Sequence, residues 1–456
     1  MVDFFSKSIK TFRKHNLRCI FAKLMHQYMK ATSLSPESLM MSYGYKPELS
    51  EGAIKCPIFQ TSTFVFKTAE DGKAFFEVAY GMREKKVNEE MGLIYSRINN
   101  PDLEILEDRL TLWDKAEACA VFESGMSAIS TVLFEFLQPG DVLLYSSPIY
   151  GGTHHFIHHI LNRFGIKAIP FKIGQSKDDI IQLLIHEGVS DKLALVYVET
   201  PANPTNDLVD IQMCSAIAAA FTKNGKKIPV VVDNTYMGPV WQHPLQCGAD
   251  IVVYSATKYI GGHSDVIAGA VLGNAEAIKR VKTLRTFLGN MCSPHTGWLL
   301  LRSLETLKVR MDQMTKNADA VADWLSTHAL LDRIYYPGLL KTTDPQYVIY
   351  KKQCLANGAM LSFDIKGGEA EAFIFLNNLK LIKLAVSLGG TESLAEHPYS
   401  MTHVDIPQEE KIYLNITEKM IRLSIGLENH KDIIWDIDQA LEAVKLFSKH
   451  NTASMK

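Results

Sequence analysis

The sequence predicts an α/β fold: a mostly parallel sheet flanked by helices on both faces, followed by a smaller C-terminal α+β domain. Between residues 115 and 275, short apolar runs rich in β-branched residues alternate with longer amphipathic stretches. Strands buried on both faces are apolar throughout, and alternation of this length favours parallel strands joined by helices. Polar residues follow most of the apolar runs, at the carboxyl ends where such sheets bind ligands.

Seven apolar runs are the predicted strands: ACAVF (118–122), DVLLYS (141–146), KAIPFK (167–172), ALVYVE (194–199), PVVVD (229–233), DIVVYS (250–255) and VIAGAVLG (266–273). Helices are predicted between the first five strands, over 126–137, 152–164, 177–187 and 210–223, and after the last strand come a helix over 274–290 and a helical region over about 298–327. The last two strands have no helix between them.

The chain divides into four predicted segments. Residues 1–35 form a basic N-terminal extension, 36–95 an N-terminal arm, 96–295 the large domain and 296–456 the small C-terminal domain. The extension carries seven Lys and Arg residues within its first 30 positions and a single acid, Asp3. Such a segment resembles a transit peptide, and a loosely attached extension or a start codon placed too early are the alternatives.

Composition excludes several classes of protein. The 456 residues contain 48 Lys and Arg and 50 Asp and Glu, a net charge of −2, whereas nucleic-acid binders usually carry a basic domain. No apolar run reaches the roughly 18–20 residues of a membrane span. Seven sparse cysteines are typical of reduced thiols, so we expect a cytoplasmic protein. The near-zero net charge suits a small-molecule partner that is itself zwitterionic.

Lys258 and Asp233 stand at the ligand-facing ends of two predicted strands. A lysine desolvated at such a position has a lowered pKa and becomes a nucleophilic amine, suited to a Schiff base with an aldehyde cofactor. An anionic Asp233 holds a pyridine nitrogen protonated, which makes pyridoxal phosphate an electron sink. Alone, each residue is more simply explained as a surface lysine or a turn-forming acid.

A phosphate site is predicted where the first strand gives way to a helix, at Ser124, Gly125 and Met126. Free N–H groups at a helix N-terminus, approached over a glycine, bind phosphate well. The hydroxyls of Ser255 and Thr257 flank Lys258 and add donors. A lone Ser-Gly is an ordinary turn, but phosphate site, acid and lysine together at strand ends are much more specific.

These residues carry a family resemblance. The stretch Ser255–Asp265, with 231–235 and 248–250 before it, resembles the Cys/Met-metabolism family of pyridoxal-phosphate enzymes, which includes cystathionine γ-synthase, cystathionine lyases, methionine γ-lyase and O-acylhomoserine sulfhydrylases. The similarity covers about residues 40–445 and continues through YSRINNP (95–101), ESGM (123–126), YGGT (150–153), ETPANP (199–204), SLGGTES (387–393), HP (397–398), MTH (401–403) and RLSIGLE (422–428).

The resemblance implies the aspartate-aminotransferase-like fold, fold type I of pyridoxal-phosphate enzymes, and a role for each matched position. Lys258 would bind the cofactor aldehyde and move the Cα proton, Asp233 would pair with the pyridinium, and Tyr150 would stack on the ring and transfer protons. The phosphate would be held by Gly125, Met126, Ser255 and Thr257, and across a subunit interface by Tyr95 and Arg97. Arg422, helped by Asn203 and Ser387, would clamp the substrate carboxylate. The active site would then need at least a dimer, and a homotetramer built as a dimer of dimers is expected.

Two positions give conflicting indications of the substrate. Val386 stands where cystathionine enzymes usually carry glutamate, so no partner is provided there for the distal ammonium of cystathionine; methionine γ-lyases resemble the sequence at this point. Gly152, however, stands where methionine γ-lyases typically carry cysteine. We expect a methionine γ-lyase-like carbon–sulfur lyase that gives a thiol, α-ketobutyrate and ammonia. The alternative is a cystathionine γ-synthase, a cystathionine γ-lyase or an O-acylhomoserine sulfhydrylase of transsulfuration.

Other interpretations stay open on the sequence. A charged stretch over about 80–93 precedes Tyr95 and is either a surface loop or a determinant of specificity. Ser255-Ala-Thr-Lys258 fits the S-x-x-K pattern of penicillin-recognising enzymes, without their S-D-N and K-T-G motifs. His154, His155, His158 and His159 include i,i+4 pairs, a spacing that can bind zinc, but no third ligand follows. We expect no metal. A cofactor-free interaction scaffold is disfavoured by the retained lysine, acid and phosphate residues.

Overall fold

The computed structural model describes residues 34–454, except 88, 90, 223, 224 and 226. The predicted basic extension therefore lies outside the described residues, apart from its last two. The strands are β1 Ala118–Phe122, β2 Val142–Ser147, β3 Lys167–Lys172, β4 Leu193–Glu199, β5 Val230–Asp233, β6 Ile251–Ser255, β7 Gly269–Gly273, β8 Leu331–Tyr335, β9 Met360–Ile365, β10 Lys383–Leu384, β11 Leu394–Glu396 and β12 Met420–Ser424.

The helices are α1 Pro36–Leu39, α2 Ala69–Ala79, α3 Pro101–Asp114, α4 Gly125–Phe136, α5 Gly151–His155, α6 Lys177–His186, α7 Ile211–Ala220, α8 Gly238–Trp241, α9 Ala275–Leu288, α10 Pro294–Leu304, α11 Leu307–Leu325, α12 Pro345–Gln353, α13 Glu369–Asn378, α14 Gln408–Tyr413 and α15 His430–Ser454. Helix α5 continues through a π-helical turn, Phe156–Ile160, into a 3₁₀ turn, Leu161–Phe164. No helix in the described part of the chain is long and apolar enough to cross a membrane.

The first seven strands form one sheet in the order β1-β7-β6-β5-β4-β2-β3. Strand β7 runs antiparallel to both of its neighbours, and the remaining pairs are parallel. Most of these strand residues are fully buried, as expected for runs of Val, Ile and Leu covered by helices on both faces. The predicted α/β fold with a mostly parallel sheet is confirmed.

The register of this sheet brings its functional strand ends together. Glu199, the last residue of β4, pairs with Asp233, the last residue of β5. Gly269 of β7 pairs on one side with Phe122 of β1 and on the other with Ser255 of β6. The turn after β1 and the lysine segment after β6 therefore start from the same level at one edge of the sheet.

The last five strands form a second, smaller sheet in the order β10-β11-β12-β9-β8, in which only β10 and β11 are parallel among the described residues. An apolar core runs from the large sheet through α10 and α11 into this small sheet, and includes Val252, Leu300, Met311, Phe363 and Ile421. This shared core fixes the small sheet against the large one, so that residues from both can form a single site.

Two predicted elements differ in detail. The helical region predicted over about 298–327 comprises two helices, α10 and α11, that meet at Glu305 and Thr306. The buried guanidinium of Arg310 donates to the carbonyl of Ser303 (3.1 Å), which satisfies that carbonyl where the helix is interrupted. The strand predicted from residue 266 begins only at Gly269. The hydroxyl of Thr257 forms hydrogen bonds with both the N–H and the carbonyl of Ala268, so these groups do not pair with a neighbouring strand.

Candidate active site

A cavity of about 250 Å³ opens at the carboxyl edge of the large sheet, between that sheet and the small one. Most of the residues predicted for the site face it. Its walls are formed by Ser124, Gly125, Met126, Ile129, Tyr150, Glu199, Asn203, Asp233, Thr235, Tyr236, Ser255, Thr257, Lys258, Ile267, Val386, Leu388, Thr402 and Arg422.

Lys258 follows β6 and projects into the cavity from the large sheet. Its Nζ donates a hydrogen bond to Ser387 Oγ of the small domain (3.0 Å). Burial and, to a lesser extent, the nearby Arg422 lower the pKa of Lys258 to about 8, and Glu396 partly opposes them. The neutral amine that a nucleophile or a base requires is therefore far more accessible near neutral pH than for an ordinary lysine.

The turn after β1 has the geometry of an anion-binding cradle. Helix α4 begins at Gly125, and Ser124 caps it by accepting a hydrogen bond from the N–H of Ser127 (3.0 Å). A Cβ at Gly125 would lie 2.8 Å from Cβ of Ser255 and 2.9 Å from its Oγ, so only glycine lets this turn approach the lysine segment so closely. The helix N-terminus and the two hydroxyl-bearing residues around Lys258 thus share one wall, which suits an anion.

Asp233 lies at the floor of the cavity, at the end of β5. Its Oδ1 accepts a hydrogen bond from the main-chain N–H of Thr235 (3.0 Å), and its Oδ2 accepts one from the hydroxyl of Tyr197 (3.1 Å). Burial raises the pKa of Asp233. A cationic ring nitrogen at this position would favour the ionised carboxylate and be held protonated by it.

Arg422 comes from the centre of the small sheet and is 2% exposed. Its Nη1 is 2.6 Å from Glu396 Oε1 and donates to Asn203 Oδ1 (3.1 Å), while its Nη2 donates to the carbonyls of Val386 and Ser387. The guanidinium thus joins Asn203 of the large domain to the loop that carries Val386. An arginine held at this depth is suited to binding a carboxylate in two places.

Tyr150 stands at the start of α5, and its ring is half-buried. Burial, Glu199, Asp233 and Glu396 all raise the pKa of its hydroxyl, so it stays protonated at neutral pH. A Cβ at Gly152 would lie 2.5 Å from Cε1 of this ring, and a Cβ at Gly151 would lie 2.5 Å from the carbonyl oxygen of Thr402. The absence of side chains at the two glycines lets the Tyr150 ring pack against the start of α5 and lets the main chain at Thr402 approach α5 closely.

Tyr95 and Arg97 do not line the cavity of their own chain. Arg97 Nη1 donates to the carbonyl of Thr286 at the surface (2.8 Å), and its guanidinium lies 5.6 Å from the centre of the Tyr95 ring. Tyr95 is about two-fifths exposed. Their predicted contact with a phosphate across a subunit interface stays a prediction.

Two of the four histidines in α5 and its π-helical turn lie within 4 Å of carboxylates in the 402–413 region. His154 Nε2 lies 3.7 Å from Glu410 Oε1, and His155 Nδ1 lies 3.6 Å from Asp405 Oδ2. His158 forms a hydrogen bond with the hydroxyl of Tyr145 (2.9 Å). In the part of the chain that the structure describes, no group of three or more His, Cys, Asp or Glu residues is arranged to hold a metal ion.

Comparison with known proteins agrees with this geometry. Residues 37–442 match the family model for "Cys/Met metabolism PLP-dependent enzyme". The chain belongs to this family. It is 40% identical over 395 residues to the L-methionine gamma-lyase of Fusobacterium nucleatum subsp. polymorphum, covering 86% of this chain and 94% of the relative. It is 41% identical over 353 residues to human cystathionine gamma-lyase, covering 77% and 84% of the two chains.

The family fold is also found among solved structures. Cystathionine gamma synthase from Xanthomonas oryzae pv. oryzae, crystallised in complex with cystathionine, superposes with a TM-score of 0.79 at 32% identity, covering 91% of this chain and 99% of the other. Family membership identifies pyridoxal phosphate as the cofactor, and the resemblance noted in the sequence is confirmed. Family membership argues against the S-x-x-K and cofactor-free alternatives.

The residues present fit this cofactor. The Gly125 cradle suits the phosphate, Asp233 the ring nitrogen, Lys258 the aldehyde and the Tyr150 ring the face of the pyridine. Four further residues had no role predicted from the sequence. Glu199, Thr235 and Thr402 line the cavity, and Glu396 accepts a hydrogen bond from Thr402. Glu199 had a detectable signal, a charged residue ending an apolar strand; the position of Glu396 depends on the register of the small sheet.

Proposed function

We propose that the protein is a carbon–sulfur lyase that catalyses γ-elimination on a sulfur amino acid, as its methionine gamma-lyase relatives do, giving a thiol, α-ketobutyrate and ammonia. The observation that carries the proposal is that three features share one cavity. They are Lys258 with its lowered pKa, Arg422, which is suited to binding a carboxylate, and an apolar wall formed by Val386, Leu388 and Ile267. The carboxylate of a sulfur amino acid can bind at Arg422, and its thioether can pack against the apolar wall.

The residues divide the work of this reaction. Bound pyridoxal phosphate supplies an electron sink that makes the Cα–H of the amino acid acidic. Arg422 and Asn203 hold the substrate carboxylate, which orients the Cα–H toward Lys258. Nζ of Lys258 takes that proton and is placed to return it farther along the substrate. The protonated hydroxyl of Tyr150 gives a proton to the sulfur that leaves from Cγ.

The alternative substrate is cystathionine, or O-acylhomoserine with a thiol. Gly152 and the likeness to human cystathionine gamma-lyase favour it. The apolar side chain of Val386 favours the smaller thioether of methionine, because it offers no partner to the distal ammonium of cystathionine.

A substrate panel tests the proposal. The enzyme loaded with pyridoxal phosphate is given methionine, cystathionine, or O-acylhomoserine with cysteine, and α-ketobutyrate and the thioether product are measured. We expect the highest kcat/KM for α-ketobutyrate release from methionine. If methionine yields no α-ketobutyrate while cystathionine does, the alternative is correct.

We further propose that the protein works in the cytoplasm as a homo-oligomer, a dimer of dimers, in which Tyr95 and Arg97 complete the phosphate site of a neighbouring copy. Support comes from their exposure at the surface of their own chain, away from its cavity. Arg97→Ala and Lys258→Ala should each be inactive alone but partly active after mixed refolding, because a mixed dimer contains one intact site. Absence of recovered activity in verified mixed dimers would contradict the shared site.

A further inference from the structure

Glu199 is a buried carboxylate in the cavity wall that the proposed reaction does not use. It is 4% exposed, and none of the ion pairs between described residues includes it. Its two oxygens instead accept main-chain hydrogen bonds: Oε2 from the N–H of Tyr150 (2.6 Å) and Oε1 from the N–H of Asn203 (3.0 Å). One carboxylate thus holds the backbone of the ring-stacking tyrosine and that of the substrate-binding asparagine.

The carboxylate is itself fixed by the sheet. The N–H of Glu199 donates to Ser146 Oγ of β2 (3.0 Å), and its Cα pairs with that of Asp233 on β5. Burial and the Asp233 carboxylate raise the pKa of Glu199, and the main-chain N–H donors of Tyr150 and Asn203 oppose this rise. Burying an acid here carries a desolvation cost, which the hydrogen bonds from the two main-chain N–H groups partly offset.

Resting on the roles of Tyr150 and Asn203 in the proposed function, we propose that Glu199 is a positioning residue that sets the separation between these two residues. The tyrosine determines how the cofactor ring is stacked, and the asparagine supports Arg422 at the substrate carboxylate. Because Glu199 binds both main chains, the positions of Tyr150 and Asn203 depend on each other. The conformation that stacks the cofactor ring is then the same one that holds the substrate carboxylate.

Two variants separate position from charge. Glu199→Gln keeps the size of the side chain but leaves one of the two N–H groups without an acceptor. Glu199→Asp keeps a carboxylate beside Asp233 but is one methylene too short to reach both amides. If position matters, both variants should lower kcat/KM between about 10-fold and 100-fold. Recovery of wild-type kcat and KM by Glu199→Asp would show that charge alone matters and would overturn the proposal.

Two readouts do not depend on turnover. The visible circular dichroism of the bound cofactor reports ring orientation, and the Kd of norvaline, which lacks a leaving group at Cγ, reports substrate holding. Both should change in Glu199→Gln and, to a smaller degree, in Ser146→Ala, which removes the acceptor for the main-chain N–H of Glu199. Ser146→Ala is the milder change and replaces Glu199→Gln in the test if that variant does not fold. These readouts stay informative even if the natural substrate is not methionine.

Glu107→Gln is the matched control. Glu107 is also a buried acid, 5% exposed, but it pairs with Arg285 and Lys282 away from the cavity. This variant should lose stability while keeping the dichroism and the norvaline Kd of the wild type. If Glu199→Gln or Ser146→Ala shows the same pattern as this control, Glu199 is a structural residue and the proposal fails.

Discussion

Arg422, in the wall of the cavity, and Glu396 form a fully buried ion pair. Nη1 of the arginine lies 2.6 Å from Oε1 of the glutamate, and the two side chains are 2% and 0% exposed. Their Cα atoms are direct partners on the antiparallel strands β12 and β11. The same Oε1 accepts a hydrogen bond from Thr402 (3.1 Å), a residue of the cavity wall. The guanidinium is therefore balanced and oriented before any substrate carboxylate arrives.

Glu396→Gln should destabilise the protein by about 3–5 kcal/mol, because the change leaves Arg422 buried without its counter-ion. It should also lower the pKa of Lys258 further, since Glu396 opposes the effects of burial and Arg422 on this amine. The free energy of unfolding in urea measures the first effect. The pH at which the cofactor-free protein takes up pyridoxal phosphate measures the second.

Asp364→Asn is the control for that prediction. Asp364 is a buried acid on β9 of the same sheet and accepts hydrogen bonds from Tyr335 and Thr417, not from Arg422. It should lower stability and leave the pH of cofactor uptake unchanged. An equal change of that pH in both variants would contradict a specific effect of Glu396.

Lys258 should react with the cofactor aldehyde through a neutral amine whose pKa is about 8 instead of the usual 10.5. The shift is downward, so the neutral fraction rises as the pH increases through about 8 and is nearly complete well below 10.5. The rate of appearance of the visible absorbance band after adding pyridoxal phosphate should follow this profile. Lys258→Ala should give no covalent band and no turnover, and an inflection near 10.5 would contradict the lowered pKa.

Gly152→Cys should move the ring of Tyr150, because the new Cβ would lie 2.5 Å from Cε1. Displacement of a catalytic group by about 1 Å can cost about 100-fold in rate, so kcat should fall by at least about tenfold. Stability should change by less than about 1 kcal/mol, since the backbone at this position is helical. Steady-state kinetics and thermal unfolding together test this.

Gly92→Ala serves as the control for a glycine replaced in open space. No atom outside the neighbouring residues lies within 4 Å of a Cβ there, and its φ is not in the left-handed region. Its kcat should equal that of the wild type. If Gly152→Cys also retains full kcat, the packing of Tyr150 against Gly152 does not limit the reaction.

Val386→Glu should exchange substrate preference. A carboxylate at this wall would pair with the distal ammonium of cystathionine and would place an unpaired charge near the methyl group of methionine. The ratio of kcat/KM for cystathionine to that for methionine should rise by at least about tenfold, equivalent to about 1.4 kcal/mol. Val309→Glu, on an exposed valine of α11, should leave the ratio unchanged, and an unchanged ratio in Val386→Glu would mean that another residue selects the substrate.

Much of the large sheet could be predicted from the sequence because its information is local. An uninterrupted run such as the Val residues before Asp233 can be buried only between two helical layers, and the residue after the run must then lie at the ligand-binding edge. Lys258, Asp233 and Gly125 were found in this way. The helical region predicted over about 298–327 is divided into α10 and α11, and this division involves a side chain, Arg310, that packs back onto the end of α10.

By itself, the sequence determined the strands, the order of the site motifs and the family, since each depends on residues close together in the chain. Only the tertiary structure decided how the charges of the site are balanced. Glu199 meets Tyr150 across 49 positions, and Arg422 meets Asn203 across 219. Contacts over such distances depend on strand register and on the packing of one sheet against the other, which no local pattern of residues specifies.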